Sequence, residues 1–183
     1  IVELIEREVD HARHGRPARI VIKNNAVTDP ALVRALYAAS QQGVEIDMIV
    51  RGVCCLRPGL EGVSERIRVR SVVGRFLEHS RVYYFENGGR PDVYLGSADL
   101  MERNLDRRVE VLCPIRDREI ARYIADMLFH AYLRDNDRAY TLSDDRYVPV
   151  SRATNDVSVS AQTVLLDAAA GAPDERDELR PLD

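Results

Sequence analysis

Residues 19–52 read RIVIKNNAVTDPALVRALYAASQQGVEIDMIVRG and determine the fold class. The continuous apolar run Ile20–Ile22 is typical of a buried strand. Asp29 and Pro30 then provide the N-cap and the first-turn proline of a helix. The apolar run Val44–Val50 predicts a second strand. A strand, a helix and a strand in this order indicate a βαβ unit whose two strands are parallel.

The sequence on either side extends this unit into a mixed sheet. An N-terminal helix without a capping residue is predicted by apolar residues at helical spacing, namely Ile1, Leu4, Ile5, Val9 and Ala12. Further strands are predicted at Ile67–Val73, Arg81–Phe85, Val93–Leu95 and Arg108–Leu112. The turn Asn87-Gly88-Gly89 favours a hairpin and therefore antiparallel pairing. We expect an α/β fold with a mixed β-sheet flanked by helices.

The C-terminal part is predicted to hold two helices and a tail. Asp117 is a good N-cap for a helix with an apolar face, and a last helix is expected from Ala161 to Ala169. After Gly171 the sequence is acidic and almost free of large apolar residues. We expect residues 1–170 to be one domain of a longer protein, because the first helix lacks a cap, and residues 171–183 to be a disordered tail.

Composition excludes several classes of protein. The 183 residues are 45% hydrophobic and 31% charged, which is typical of a globular domain and not of a fibrous or disordered chain. No apolar run reaches the ~18 residues of a membrane-spanning helix, and the N-terminus does not resemble a signal peptide. We therefore expect a cytoplasmic protein that could also lie at the membrane surface. The three cysteines are expected to be reduced, and no zinc-ligand spacing is present.

Positive charge is concentrated in the middle of the chain. The net charge is −4, but residues 51–108 carry three more basic than acidic side chains. All cationic residues except Lys23 are arginine. A guanidinium group suits bidentate phosphate binding, although a genome rich in arginine codons would give the same count.

The best candidates for catalytic residues lie in residues 74–89, GRFLEHSRVYYFENGG. His79 lies between Arg75 and Arg81, so an imidazole could exchange a proton while guanidinium groups hold an anion. Phosphoryl transfer needs this combination of charge neutralisation and an acid for the leaving group. A lone histidine at the start of a strand can equally be a structural hydrogen-bonding residue.

The pattern His79-x-Arg81-x4-Glu86, followed by Gly96-Ser97, resembles the His-x-Lys-x4-Asp and Gly-Ser motifs of the phospholipase D superfamily. Arginine replaces lysine and glutamate replaces aspartate, which argues against an ordinary phospholipase or nuclease. Longer stretches resemble bacterial polyphosphate kinase, namely residues 50–59, 67–71, 74–89, 96–101 and 103–111. The chain is similar to the C-terminal, phospholipase D-like domain of that family.

This resemblance implies a phosphotransferase that moves the terminal phosphate of ATP reversibly onto inorganic polyphosphate, with Mg²⁺. It implies that His79 is the partner of the histidine that becomes phosphorylated in another domain, and that Arg51, His79 and Arg81 contact nucleotide or phosphate. It implies no metal ligands in this chain. The histidine that becomes phosphorylated has no counterpart here, so the isolated chain is expected to be inactive. The expected partners are ATP, ADP, polyphosphate, the other domains and further copies of the complete protein, but not nucleic acid.

Two alternatives remain open at this stage. One is a single-motif phosphodiesterase or nuclease that pairs two copies of His79 in a homodimer. The other is a non-catalytic module that binds polyanions through its basic middle part.

Structural roles are expected for the other candidate residues. His11 and His14 lack a third metal ligand and are predicted to be solvent-exposed, while His130 is predicted to pack. Cys54 and Cys55 are expected to be neutral thiols. Tyr83, Tyr84 and Phe85 are expected in the core, and Arg103, Arg107 and Arg108 could bind a polyanion or form ordinary ion pairs.

Overall fold

The computed structural model describes residues 1–171, and all of the predicted tail except Gly171 lies outside the described residues. The strands are β1 Arg19–Asn24, β2 Glu45–Val50, β3 Ile67–Val72, β4 Val82–Phe85, β5 Asp92–Gly96, β6 Leu112–Pro114, β7 Ala139–Ser143 and β8 Arg146–Pro149. The helices are α1 Val2–Arg13, α2 Pro30–Gln41, α3 Glu102–Arg107, α4 Arg118–Tyr123, α5 His130–Arg134 and α6 Ala161–Ala169. A π-helical segment, Ile124–Phe129, joins α4 to α5.

Within residues 1–171 the strands form one sheet in the order β6-β5-β4-β1-β2-β3-β7-β8. β1, β2 and β3 are parallel, and the other pairings are antiparallel. In the predicted βαβ unit, Arg19 lies opposite Glu45 and Asn24 lies opposite Val50. The predicted mixed sheet flanked by helices is confirmed.

Successive side chains along each strand point to opposite faces of the sheet, which separates the core into two layers. Ile20 and Ile22 pack in the layer that holds Leu36 of α2, whereas Val21 packs in the layer that holds Tyr132 of α5. Full burial of each such side chain stabilises the fold by about 1.5–3 kcal/mol. Lys23 is two residues after Val21 and therefore points toward the α5 layer, although it is a cation.

The predicted helix boundaries agree with the capping residues. Asp29 Oδ1 accepts a hydrogen bond from Leu32 N at 2.7 Å at the start of α2. Asp117 Oδ1 accepts from Glu119 N and Ile120 N at the start of α4. These carboxylates satisfy amide groups that have no partner inside the helix.

The predicted strand Arg108–Leu112 is wrong. Residues 102–107 form α3, and the strand β6 begins only at Leu112. Val109 is fully exposed, so the alternating apolar residues of this stretch do not face a core. Glu110 instead accepts hydrogen bonds from Asn104 and Ser97, which hold the segment against α3.

None of the helices described here is long and apolar enough to cross a membrane. Cys54, Cys55 and Cys113 are free, as predicted.

Tyr83 and Phe85 are buried in the core, which confirms their predicted role, while Tyr84 is only partly buried.

Candidate functional site

The predicted site residues lie at one edge of the sheet. β1, β2 and β5 run in the same direction and end at this edge, and the antiparallel strand β4 begins there. Arg51 directly follows β2, while His79 and Arg81 precede the first residue of β4. Asp99 lies in the segment after β5. We call Arg51, His79, Arg81 and Asp99 the sheet-edge site.

Arg51 is held beside the residue that precedes His79. Its main-chain N–H donates to Asn24 O at 3.2 Å, and its Nη1 donates to Glu78 O at 2.7 Å. A guanidinium group has five N–H donors, so most of those of Arg51 are not used by this contact. The remaining donors are available for a phosphate group next to His79.

Arg81 holds the main chain of His79 and is neutralised by Asp99. Nη1 of Arg81 donates to His79 O at 3.1 Å, and Nε donates to Asp99 Oδ1 at 2.9 Å. His79 itself is exposed to solvent. Burial alone would raise the pKa of Asp99, but hydrogen bonds from Arg81 and Asn25 outweigh it and hold that pKa below its ordinary value. Both members of the pair are therefore charged at neutral pH.

Two asparagines at the end of β1, Asn24 in the strand and Asn25 directly after it, join the strand ends at this edge. Asn24 Nδ2 donates to Tyr83 Oη at 3.0 Å and to Ala98 O at 3.3 Å. Asn25 Nδ2 donates to Asp99 Oδ1 at 3.0 Å. Both asparagines are buried, so these hydrogen bonds are protected from water. They fix the segment after β5 relative to β1.

Sequence reasoning missed Asp99, Asn25 and the carboxylate of Glu78. Glu78 forms an ion pair with Lys23, at 3.1 Å between Oε2 and Nζ. The only signal for Asp99 in the sequence is that it follows Gly96-Ser97, and no local pattern links it to Arg81. These contacts join residues that are far apart in the chain, which spacing alone does not reveal.

The structure does not bring Glu86 to the sheet-edge site. Glu86 follows the last residue of β4, whereas His79 precedes the first, so the two lie at opposite ends of this strand. Glu86 accepts a hydrogen bond from Tyr84 Oη at 2.5 Å. The carboxylate beside the motif arginine is that of Asp99. The sequence pattern that ends at Glu86 therefore does not describe the group that neutralises Arg81.

The remaining histidines and cysteines take structural positions. His11 is partly buried and lies 3.1 Å from Asn87 Oδ1, so the prediction that it is solvent-exposed is wrong. His14 is exposed, as predicted. His130 is buried and packs as predicted, and burial lowers its pKa. Burial also raises the pKa of Cys54 to about 11, which keeps this thiol neutral.

Arg107, the last residue of α3, and Arg108, directly after it, both form ion pairs with nearby carboxylates. Arg107 lies 3.8 Å from a carboxylate oxygen of Glu102, and Arg108 lies 3.4 Å from one of Glu110. Both arginines are largely exposed, so these ion pairs contribute little to stability.

A second arginine-rich region lies beyond the opposite end of β4. A cavity of about 1090 Å³ is bounded there by the turn after β4, the segment before α4 and α4 itself. We call it the arginine cavity after four exposed residues that line it, Arg90, Arg116, Arg118 and Arg122. No hydrogen bond or ion pair of these guanidinium groups is found within residues 1–171. None of the residues of the sheet-edge site lines this cavity.

The described residues do not form a metal site. Within residues 1–171 no group of three or more His, Cys, Asp or Glu side chains could hold a metal ion. At the sheet-edge site Asp99 is paired with Arg81, and the adjacent Glu78 is paired with Lys23. These carboxylates are already neutralised and do not fit a Mg²⁺ ion held by the protein.

A comparison with protein families gives one match over most of the chain. The family model described as "Polyphosphate kinase C-terminal domain 2" matches residues 1–162. This range includes the sheet, the sheet-edge site and the start of α6.

Curated relatives and a solved structure are similar to the same region. The chain is 57% identical over 144 residues to a polyphosphate kinase of Thermosynechococcus vestitus, covering 79% of this chain and 20% of the relative. It is 49% identical over 181 residues to a polyphosphate kinase of Synechocystis, covering 98% of this chain and 25% of the relative. The crystal structure of polyphosphate kinase from Porphyromonas gingivalis superposes with a TM-score of 0.88 at 37% identity, covering 96% of this chain and 26% of that one. The chain thus spans about a quarter of the length of the relatives that it matches.

Proposed function

This chain belongs to the polyphosphate kinase family, and on that premise we propose that it supplies the second catalytic domain of an ATP:polyphosphate phosphotransferase. The complete polypeptide moves the terminal phosphate of ATP to the end of an inorganic polyphosphate chain, and the reaction is reversible. The histidine that becomes phosphorylated belongs to the remaining part of the polypeptide. The 183-residue chain on its own is therefore inactive.

The observation that carries this proposal is the position of Arg51 relative to His79. The guanidinium of Arg51 contacts Glu78 O at 2.7 Å, and Glu78 is the residue directly before His79. A cation with unused N–H donors and a histidine therefore lie at the same strand ends. In open α/β sheets, ligands bind at the carboxyl ends of the strands, where this pair lies.

The chemistry follows from the charge that phosphoryl transfer must stabilise. The terminal phosphorus of ATP forms a bond to a ring nitrogen of the phosphorylated histidine in the remaining part of the polypeptide, while its P–O bond to the second phosphate breaks and that electron pair stays with the oxygen of ADP. Arg51 remains charged throughout and stabilises the negative oxygens of the transferring group. His79 holds a proton at the leaving oxygen while that bond breaks. In the reverse direction the same imidazole takes the proton back.

Arg81 contributes mainly by holding His79 in place. Its Nε and both Nη atoms already donate to Asp99 or to His79 O. Two of its five N–H groups are left for a substrate oxygen. Its predicted role in phosphate binding stays a prediction, with these two groups as the donors.

Mg²⁺ would supply charge neutralisation on the phosphates of ATP. Because the carboxylates at the sheet-edge site are already paired with cations, we assign no step to the metal in this domain. We expect it to arrive bound to the nucleotide.

The other parts of the assignment rest on the family. ATP, ADP and polyphosphate are the proposed small-molecule partners, and the rest of the polypeptide and further copies of it are the proposed protein partners. Nucleic acid is not among them. The proposed location is the cytoplasm, either free or at the membrane surface.

The test is an assay of the complete polypeptide with ATP labelled at its terminal phosphate. We expect label in polyphosphate, equimolar ADP, and an intermediate in which the label is on a histidine outside the 183 residues. The 183-residue chain should show no label on histidine. Hydrolysis of a chromogenic phosphodiester by that chain would instead favour a dimeric phosphodiesterase. Polyphosphate binding with full activity after the substitution His79→Gln would favour a non-catalytic module.

A further inference from the structure

We propose that Glu78 is a positioning residue that fixes both His79 and the guanidinium of Arg51 through an ion pair with the buried Lys23 and a hydrogen bond from the side-chain amide of Gln162 on α6. This inference rests on the proposed function for its kinetic readout and goes beyond it in assigning a role to residues outside the motif. Three parts of the chain meet at Glu78, and each supplies one contact.

The contacts of Glu78 use its main chain and both carboxylate oxygens. Its main-chain oxygen accepts the hydrogen bond from Arg51 at 2.7 Å. Oε2 lies 3.1 Å from Lys23 Nζ on β1, and Oε1 accepts from Gln162 Nε2 on α6 at 2.9 Å. A change in the position of Glu78 therefore moves the next residue, His79, and the hydrogen-bond acceptor of Arg51 together.

The buried ammonium group of Lys23 holds the Glu78 carboxylate in place by electrostatic attraction. The side chain of Lys23 is only 5% exposed, and its Nζ lies 4.8 Å from the ring centroid of Tyr132. Burial lowers the pKa of this amine, and the charges of Arg51 and Arg81 lower it further, whereas Glu78 raises it. A buried ammonium is costly without a carboxylate partner, so the Glu78 carboxylate is held at one place.

Gln162 fixes the segment that leads to Glu78. Its Oε1 accepts from Phe76 N at 2.9 Å, and its Nε2 donates to Phe76 O at 2.9 Å. This side-chain amide thus contacts both main-chain polar groups of Phe76. At Gly74 a Cβ atom would lie 2.5 Å from Gln162 Oε1, so glycine there leaves room for the amide in this position.

We expect the contacts of Glu78 to fix the position of His79 more than they stabilise the fold. A buried ion pair is often no more stabilising than two apolar side chains of similar size, because desolvation offsets the attraction. What an apolar pair does not supply is a fixed direction for the segment before His79. A displacement of about 1 Å at reacting groups can lower a rate about 100-fold, so this direction matters for turnover.

The test separates positioning from stability by removing both charges at once. In the complete polypeptide, the double substitution Lys23→Met and Glu78→Met keeps the buried volume and leaves no unpaired charge. We expect a small change in melting temperature, a fall in kcat of roughly 10- to 100-fold and a much smaller change in KM for ATP. We also expect loss of hydrogen-exchange protection at the Phe76 amide.

A matched control removes an ion pair at the other end of β1. Arg19 on β1 pairs with Asp47 on β2 at 2.8 Å, and Asp47 also pairs with the exposed Arg68 on β3, which keeps Glu45 as a second partner. The double substitution Arg19→Met and Asp47→Leu should leave kcat within about twofold and should not change exchange at Phe76. If the double variant at Lys23 and Glu78 does not fold, Gln162→Ala tests the positioning role through kcat alone, because it removes the acceptor of the Phe76 amide directly.

The outcomes are distinct for the inference and for the proposed function. A folded variant at Lys23 and Glu78, or at Gln162, with kcat within twofold of the unmodified protein would overturn the positioning role. Unchanged exchange at Phe76 would overturn it as well, and that readout does not depend on activity. Failure of the unmodified polypeptide to form polyphosphate from ATP would instead refute the proposed function.

Discussion

The two arginine-rich regions at the ends of β4 differ in what their guanidinium groups contact. At the sheet-edge site, Arg81 donates to Asp99 at 2.9 Å and Arg51 donates to Glu78 O at 2.7 Å. In the arginine cavity, Arg118 and Arg122 are exposed, and their guanidinium groups form no hydrogen bond or ion pair with any described residue. Preorganised donors stabilise a transition state, whereas mobile surface charges attract anions and are screened by salt. Arginine content alone therefore does not identify the site of chemistry.

The largest effect is expected for His79→Gln in the complete polypeptide. Glutamine keeps a polar side chain but does not titrate, so kcat should fall by about 10²–10⁴. KM for ATP should change much less, because the phosphate contacts of Arg51 remain. Steady-state kinetics with ATP and polyphosphate measure both parameters. Near-normal turnover would remove His79 from the proposed mechanism even though the family assignment stands.

The next largest effect is expected for Arg51→Ala. Loss of one charged donor at the transferring phosphate should lower the rate by about 10²–10³, by analogy with the loss of one oxyanion donor. The control Arg51→Lys keeps the charge but loses the planar fork, and we expect intermediate activity. A lysine variant as active as the unmodified protein would show that the fork geometry is not used, whereas equal activities of the alanine and lysine variants would show that charge alone is not sufficient.

A smaller effect, on stability, is expected for Asp99→Asn. This substitution leaves the largely buried Arg81 without its carboxylate and should cost about 1–3 kcal/mol of unfolding free energy at neutral pH. The folded pKa of Asp99 is depressed, so its contribution is present above its unfolded pKa and is lost as the pH falls through the folded value. The difference between the two proteins, measured by urea unfolding, should therefore shrink below about pH 4. A difference that grows toward acid pH would contradict the assigned charge state.

The smallest effect is expected for the double substitution Arg118→Gln and Arg122→Gln in the arginine cavity. Turnover with ATP should stay within about twofold, and stability should change by no more than about 0.5 kcal/mol per site. Assays at low and moderate salt check this expectation. A loss as large as that of Arg51→Ala would mean that the chemistry depends on the cavity and not only on the sheet edge.

Much of the fold could be predicted because the sequence features that determine it, capping residues and apolar runs, are local. Asp29 and Pro30 determine the start of α2, and the apolar runs at β1 and β2 identify buried strands. The helix α3 was missed because residues 102–107 are mostly polar and have no apolar face that repeats. Val109 then suggested a strand, although its side chain contacts solvent and not a core.

The site could be predicted only in part because its stabilising contacts are long-range. His79 and Arg51 were identified from the resemblance, and both lie at the same strand ends. The pairing of Arg81 with Asp99 depends on β4 lying beside β5, and the contact of Gln162 with Phe76 depends on where α6 docks. Neither contact leaves a pattern in the sequence.

The most direct test of the account is a crystal structure of the complete polypeptide with a non-hydrolysable ATP analogue. We predict that an oxygen of its terminal phosphate lies about 2.7–3.2 Å from the guanidinium of Arg51, with the His79 imidazole in contact with the same phosphate. Arg81 should remain paired with Asp99. A terminal phosphate bound in the arginine cavity, with Arg51 and His79 free of nucleotide, would contradict the account.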